Sequence, residues 1–216
     1  MPMTKKEVAK RRVLVFIDGP NLDGQQAEME AILDFRKFHA FLVGKDSEVV
    51  GVRYYTKTTE YEPKVRFLGF LGHIGYEVIY VENGDVDATI VNDIFKLSPS
   101  ADAIVLVSGD RIYFEPLKNT ANSGKGVRVV ATAATTAHEY QENDSIEFVD
   151  ITPLQDLVDH SKTKSRREEA KRRAESGEEV SPGAILIGRL MALGMPVIVE
   201  TREDVGEVII RIRTRK

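Results

Sequence analysis

Apolar and polar positions alternate in blocks along this chain. Continuous apolar runs stand at Val13–Ile17 and Ala103–Val107, and an unbroken run of that length marks a strand buried on both faces. Val49–Tyr55, Glu77–Val81, Val127–Ala131 and Ile146–Val149 read as further strands from their β-branched and aromatic content. Between these runs the period changes to that of a helix. Ile32, Phe35, Phe38 and Leu42 recur near helical spacing within Gln26–Val43, Pro63–Ile74 is expected as a helix closed by Gly75, and Val86, Ile90, Ile94 and Leu97 form one stripe. The strand–helix rhythm predicts an α/β, Rossmann-like three-layer architecture, a parallel sheet wrapped by helices on both faces. The chain has no internal repeat.

After Pro153 the pattern changes. Lys162–Glu179 is mostly charged, lacks an apolar stripe, and is expected as a solvated helix or a linker. Ser181-Pro182 then signals a helix start, Ala184–Leu193 is mostly apolar, and Gly194 is a natural stop. Val197–Thr201 and Val208–Ile212 read as a hairpin around Asp204-Val205-Gly206. A helix plus hairpin of about 35 residues is too small to hold a core of its own, so it is expected to pack on the preceding domain or on a second protomer as a homodimer. The division expected is a first domain over 12–151, a charged linker or helix over 152–180, and a small C-terminal α+β unit over 181–216.

Charge changes the picture next. Residues 13–151 carry 12 basic and 22 acidic groups, while Lys5, Lys6, Lys10, Arg11 and Arg12 precede them and residues 152–216 carry 13 basic and 11 acidic groups. An acidic body with basic ends suits a protein that concentrates cations in its middle and meets phosphate at its edges. The absence of Cys excludes disulfides and thiolate metal sites. No apolar run approaches the about 18 residues of a membrane span, so the expectation is a cytoplasmic protein with no membrane partner. The four histidines, His39, His73, His138 and His160, show no ligand spacing.

In a doubly wound sheet, ligands bind beyond the carboxyl ends of the strands, where strand order reverses. Asp18 directly follows the first strand and Asp110 lies just beyond Ala103–Val107. In a sheet of order 3-2-1-4-5 these strands are neighbours, and both carboxylates open into one crevice. Hard oxygen ligands converging in this way suit Mg²⁺ or Mn²⁺. Asp85 and Asp87 stand at a helix start, where capping and ligation are both open readings. Asn21 and Asp110 each have two readings, a cap of the helix that follows or a residue facing the ligand. Asp93 lies six residues beyond Asp87, about 240° around the helix, and cannot share its centre. Gly19, Gly24 and Gly109 make no phosphate-binding fingerprint, which weighs against a small-nucleotide site.

Four segments in order carry a resemblance. They are Val15-Phe16-Ile17-Asp18-Gly19-Pro20-Asn21, Gly72-His73-Ile74-Gly75-Tyr76-Glu77-Val78, Val86-Asp87-Ala88-Thr89-Ile90-Val91-Asn92-Asp93 and Val105-Leu106-Val107-Ser108-Gly109-Asp110. Pro116-Leu117, Gly126–Val130 and Ile146–Asp150 extend the set. Together they resemble the NYN family of PIN-like nucleases, its LabA-like branch in particular. The resemblance implies a Rossmann-like sheet, a Mg²⁺ or Mn²⁺ site and cleavage of RNA, single-stranded before double-stranded. It places Asp18, Asp87 and Asp110 as metal ligands and catalytic acids, with Asn21 beside them. Ser108 and Arg111, the neighbours of Gly109-Asp110, are expected to face substrate together with Asn21. The family pattern reads Ser-Gly-Asp, any residue, Asp, aromatic, then Pro-Leu. Here Ile112 holds the second Asp position and one extra residue precedes Pro116. The fourth acid is then either missing or supplied by Glu115 from a shifted position, and a further reading has Arg111 occupying the site by pairing with Asp110. The alternative function is a degenerate NYN domain that binds RNA or a protein partner for regulation.

Overall fold

A computed structural model describes residues 10–58, 61–82, 85–176, 197–202 and 207–212. The chain runs β1 (Arg11–Asp18), α1 (Gly19–Glu28), α2 (Phe35–Val43), β2 (Ser47–Lys57), α3 (Tyr61–His73), β3 (Glu77–Val81) and α4 (Val86–Leu97). It continues through β4 (Ala103–Val107), α5 (Phe114–Asn122), β5 (Gly126–Ala131), α6 (His138–Gln141), β6 (Glu147–Asp150) and α7 (His160–Ser176). β7 (Val197–Arg202) and β8 (Glu207–Ile212) pair antiparallel, as the alternation around Asp204-Val205-Gly206 predicts. The helix expected over Ala184–Leu193 lies outside the described residues.

Strands β1 to β6 form one parallel sheet in the order β3-β2-β1-β4-β5-β6. Val13–Ile17 of β1 and the whole of β4 are apolar and buried because helices cover both of their faces. Val13, Val15 and Ile17 pack with Leu22, Phe35, Phe38, Leu42, Leu68 and Leu71 from α1, α2 and α3. Leu14 and Phe16 pack on the other side with Val86, Ile90, Ile94, Tyr113 and Leu117. This is the α/β three-layer arrangement that the sequence predicts. Among the described residues no helix is long and apolar enough to cross a membrane.

The segment expected as one helix over Gln26–Val43 is two. Asp18 accepts the Asn21 N–H and starts α1 at Gly19, so Asp18-Gly19-Pro20-Asn21 is a helix start rather than a free turn. Asp34 accepts from the N–H groups of Arg36 and Lys37 and starts α2. Between them the backbone turns outward through Glu30 at φ 48°, and its polar groups find distant partners. The Ile32 N–H donates to Thr163 Oγ1, the Asp159 N–H donates to the Ile32 carbonyl, and the Asp34 N–H donates to the Leu157 carbonyl. Of the apolar stripe, Phe35, Phe38 and Leu42 lie on the buried face of α2, while Ile32 belongs to the break before it.

Residues beyond Pro153 are also stitched to this body. Leu157, Val158 and Thr163 are buried, and Val158 bridges Leu33. The charged stretch expected as a solvated helix or linker is the helix α7 as far as Ser176.

Candidate functional site

Strand order reverses between β1 and β4, the two strands that pair Ile17 with Val107. The next residue of β1 is Asp18 and the next after β4 is Ser108, so they stand side by side at the carboxyl edge. Close backbone approach is needed at this edge. A Cβ on Gly19 would lie 2.5 Å from the Tyr55 carbonyl oxygen and 2.7 Å from the Tyr54 ring, and one on Gly109 would lie 2.8 Å from Thr136 Oγ1. Only glycine fits beside the two loops that carry the acids.

Asp18 is 3% exposed and its carboxylate is well supplied with donors. Oδ1 accepts the Asn21 N–H at 3.1 Å, and Oδ2 accepts the Ser108 hydroxyl at 3.3 Å and the Tyr113 hydroxyl at 3.0 Å. Burial pushes its pKa above the ordinary carboxylate value, and the neighbouring Asp87 charge adds to that. The hydrogen bonds from Asn21, Tyr113 and Ser108 oppose the shift without reversing it.

Asp87 arrives from the other layer. Asp85 caps α4 by accepting the Asp87 N–H at 3.0 Å, and the buried stripe Val86, Ile90 and Ile94 sets the helix rotation. Asp87 Oδ1 then lies 2.7 Å from the Tyr113 hydroxyl. One phenolic oxygen therefore touches both Asp18 and Asp87. Burial first, and then the two carboxylates, raise the Tyr113 pKa far above the ordinary phenol value, so the hydroxyl keeps its proton. Asp93 stands apart from this point and accepts from Arg53 and Tyr55.

The remaining expected residues are placed as follows. Asn21 Oδ1 accepts from the Gly109 N–H at 3.2 Å and from Gln25 Nε2, which ties α1 to the loop after β4. Gln25 Oε1 in turn accepts the Thr132 N–H at 3.0 Å, so α1 lies across the ends of β1, β4 and β5. Asp110 caps the 3-10 turn Arg111–Tyr113, its Oδ1 accepting the Ile112 N–H at 3.0 Å. Arg111 is exposed and pairs with Glu139 at 2.7 Å, not with Asp110. Glu115 is exposed and sits 3.9 Å from Lys118, so it supplies no further acid to the crevice. Ile112 faces solvent at 47% exposure.

The structure thus joins Asp18 and Asp87 at one point, with Ser108 as a donor to Asp18. Among the described residues no group of three or more His, Asp or Glu is arranged to hold a metal ion. Of the expected set of Asp18, Asp87 and Asp110, the first two meet at Tyr113, while Asp110 adjoins them through its N–H, which donates to Ser108 Oγ at 3.2 Å, and uses Oδ1 to cap the 3-10 turn. Two carboxylates still fit Mg²⁺, which keeps several waters and takes one or two protein carboxylates together with substrate phosphate. Sequence reasoning missed Tyr113, Gln25 and Thr132. The signal for Tyr113 was present: with the extra residue placed ahead of it, Tyr113 stands at the second acid position and Phe114 at the aromatic one.

The NYN domain family model matches residues 12–152. Low amplitude and bright protein LabA from Synechococcus elongatus is 23% identical over 164 residues, which span 68% of this chain and 88% of the LabA chain. A protein of unknown function from Vibrio parahaemolyticus, known from its crystal structure, superposes with a TM-score of 0.59 at 20% identity, covering 72% of this chain and 99% of its own. That likeness shows a shared fold. By its sheet order, the acid at the end of β1 and the matched span, the chain belongs to the NYN domain family of PIN-like proteins, in its LabA-like branch.

Proposed function

We propose that this chain is a metal-dependent ribonuclease acting at the Asp18–Asp87 pair. The observation that carries the reading is the convergence of two carboxylates, one from β1 and one from α4, on a single point at the strand-order switch. Asp18 and Asp87 would hold Mg²⁺ or Mn²⁺, which when bound supplies charge neutralisation at the scissile phosphate and an acidified water. Asn21 N–H and Ser108 fix the orientation of the Asp18 carboxylate. Asn21 and Gln25 hold the loop after β4 against α1, which keeps the crevice walls at a set spacing. Asp110 and Arg111 stand on the rim, where an incoming strand passes. Single-stranded RNA is the proposed substrate, and the cytoplasm the proposed place of action.

A second reading has its own observation. Where the family pattern has a second acid, this chain has no carboxylate, since Ile112 and Glu115 face outward and the crevice holds a neutral phenol. That favours a domain that binds RNA or a protein partner without cutting it. One pair of measurements separates the two. Cleavage of labelled single-stranded RNA with Mn²⁺ is expected from the parent chain and lost in Asp18→Asn. Binding of the same RNA without cleavage by both proteins would support the second reading, and neither binding nor cleavage would reject the ribonuclease and the RNA-binding domain alike.

A further inference from the structure

Among the described residues, Tyr113 is the one in contact with both acids. Its oxygen lies 3.0 Å from Asp18 Oδ2 and 2.7 Å from Asp87 Oδ1, and a phenol has a single proton to donate. The ring is fully buried among the side chains of α4 and α5. Its backbone is set by the 3-10 turn that Asp110 caps. The hydroxyl is therefore a fixed occupant of the space between the two carboxylates. A divalent ion bound to the same two oxygens, at about 2.0–2.1 Å from each, needs the same space.

Resting on the ribonuclease reading, we infer that Tyr113 competes with the divalent ion for the Asp18–Asp87 pair and thereby sets the metal affinity of the site. In the metal-free chain the phenol stands between the two carboxylates and its one proton is shared between them. An ion has to displace that hydrogen bond before it binds. An acid in the same place would add a ligand and a negative charge, whereas the phenol adds neither. The site is accordingly tuned toward weak metal binding by one side chain.

The test is Mn²⁺ titration calorimetry on the full chain without nucleic acid, comparing the parent with Tyr113→Phe. Phenylalanine keeps the ring in its packing and removes only the hydroxyl. Tyr113→Phe is expected to bind Mn²⁺ at least about tenfold more tightly, in line with the loss of one competing hydrogen bond to a charged group. Adding Asp87→Asn to Tyr113→Phe should remove the gain. Equal or weaker Mn²⁺ binding by Tyr113→Phe overturns the inference, and so does a gain that survives Asp87→Asn. A measurement on the unaltered chain stands beside it, should the variant fail to fold. Tyrosine ring signals assigned to Tyr113 should shift as Mg²⁺ is titrated, and binding with those signals unmoved overturns the inference. If parent and variant bind with the same Kd, only the role of Tyr113 falls. If neither binds at all, the ribonuclease reading falls with it.

Discussion

Asp18 combines a cap, a buried charge and a candidate ligand in one side chain. Its pKa is raised by burial, so the folded state favours the protonated form more than the unfolded chain does. The sign follows from proton binding. This residue's contribution to stability is fully present below the ordinary value of 3.8, and it is lost as pH rises through the raised folded value. Asp18→Asn removes that dependence. The variant is expected to lose Mn²⁺-dependent RNA cleavage while matching or exceeding the parent in urea midpoint at neutral pH. The difference in midpoint should shrink as pH falls toward 3.8. A variant that cuts as well as the parent would place the activity elsewhere.

Glu115 gives the opposite expectation at the same scale. Its carboxylate is exposed and, among the described residues, pairs with Lys118, an arrangement that contributes little in water. Glu115→Gln should leave cleavage unchanged and move stability by no more than about 0.5 kcal/mol. A large loss of cleavage would show that Glu115 enters the crevice when RNA is bound.

At the scale of elements, the site depends on how α1 meets β2. The Cβ that Gly19→Ala introduces falls against the Tyr55 carbonyl and the Tyr54 ring, and a backbone oxygen under a helix start has no room to retreat. The expected cost is about 1–3 kcal/mol in urea unfolding, the range for forced overpacking. Cleavage should fall further than stability, because the shift moves the Asp18 carboxylate and the N–H that orients it. Equal losses in a control such as Leu42→Ala, which sits in the core at the far end of α2, would mean the site merely follows global stability.

At the scale of the whole molecule, the body extends past the last strand of the sheet. Leu157 is buried beneath α2, and the segment around it satisfies backbone groups of Ile32 and Asp34. Leu157→Ala is expected to cost about 2–5 kcal/mol, the usual range for emptying a core leucine site. A chain ended at residue 155 should lose at least as much, since it also gives up Thr163 and its bond to Ile32. A chain ended at residue 176 isolates the C-terminal unit. If that unit docks on the body or on a second protomer, as its apolar composition leads us to propose, this shorter chain loses thermal midpoint or changes oligomeric state. An unchanged midpoint and oligomeric state would exclude docking.

What the sequence determined by itself is the architecture. Val13–Ile17 and Ala103–Val107 are apolar without interruption, and only a two-sided sheet position buries every side chain of such a run. The stripe Val86, Ile90 and Ile94 likewise leaves one helix face for the core. Asp18 was legible for the same reason, since it ends a strand whose position was clear, whereas Asp87 at its helix start stayed open between capping and ligation until the resemblance placed it. The tertiary structure decided the rest. The break between α1 and α2 depends on Asp159 and Thr163, more than 120 residues along the chain, and no local period contains that distance. Arg111 met Glu139 and Asp110 met the Ile112 N–H, although adjacency in sequence suggested that they meet each other. Tyr113 entered the crevice because a capped 3-10 turn rotates it inward and leaves Ile112 and Glu115 outside. Spacing along the chain shows which residues are near a site, while the turn geometry selects the one side chain that fills it.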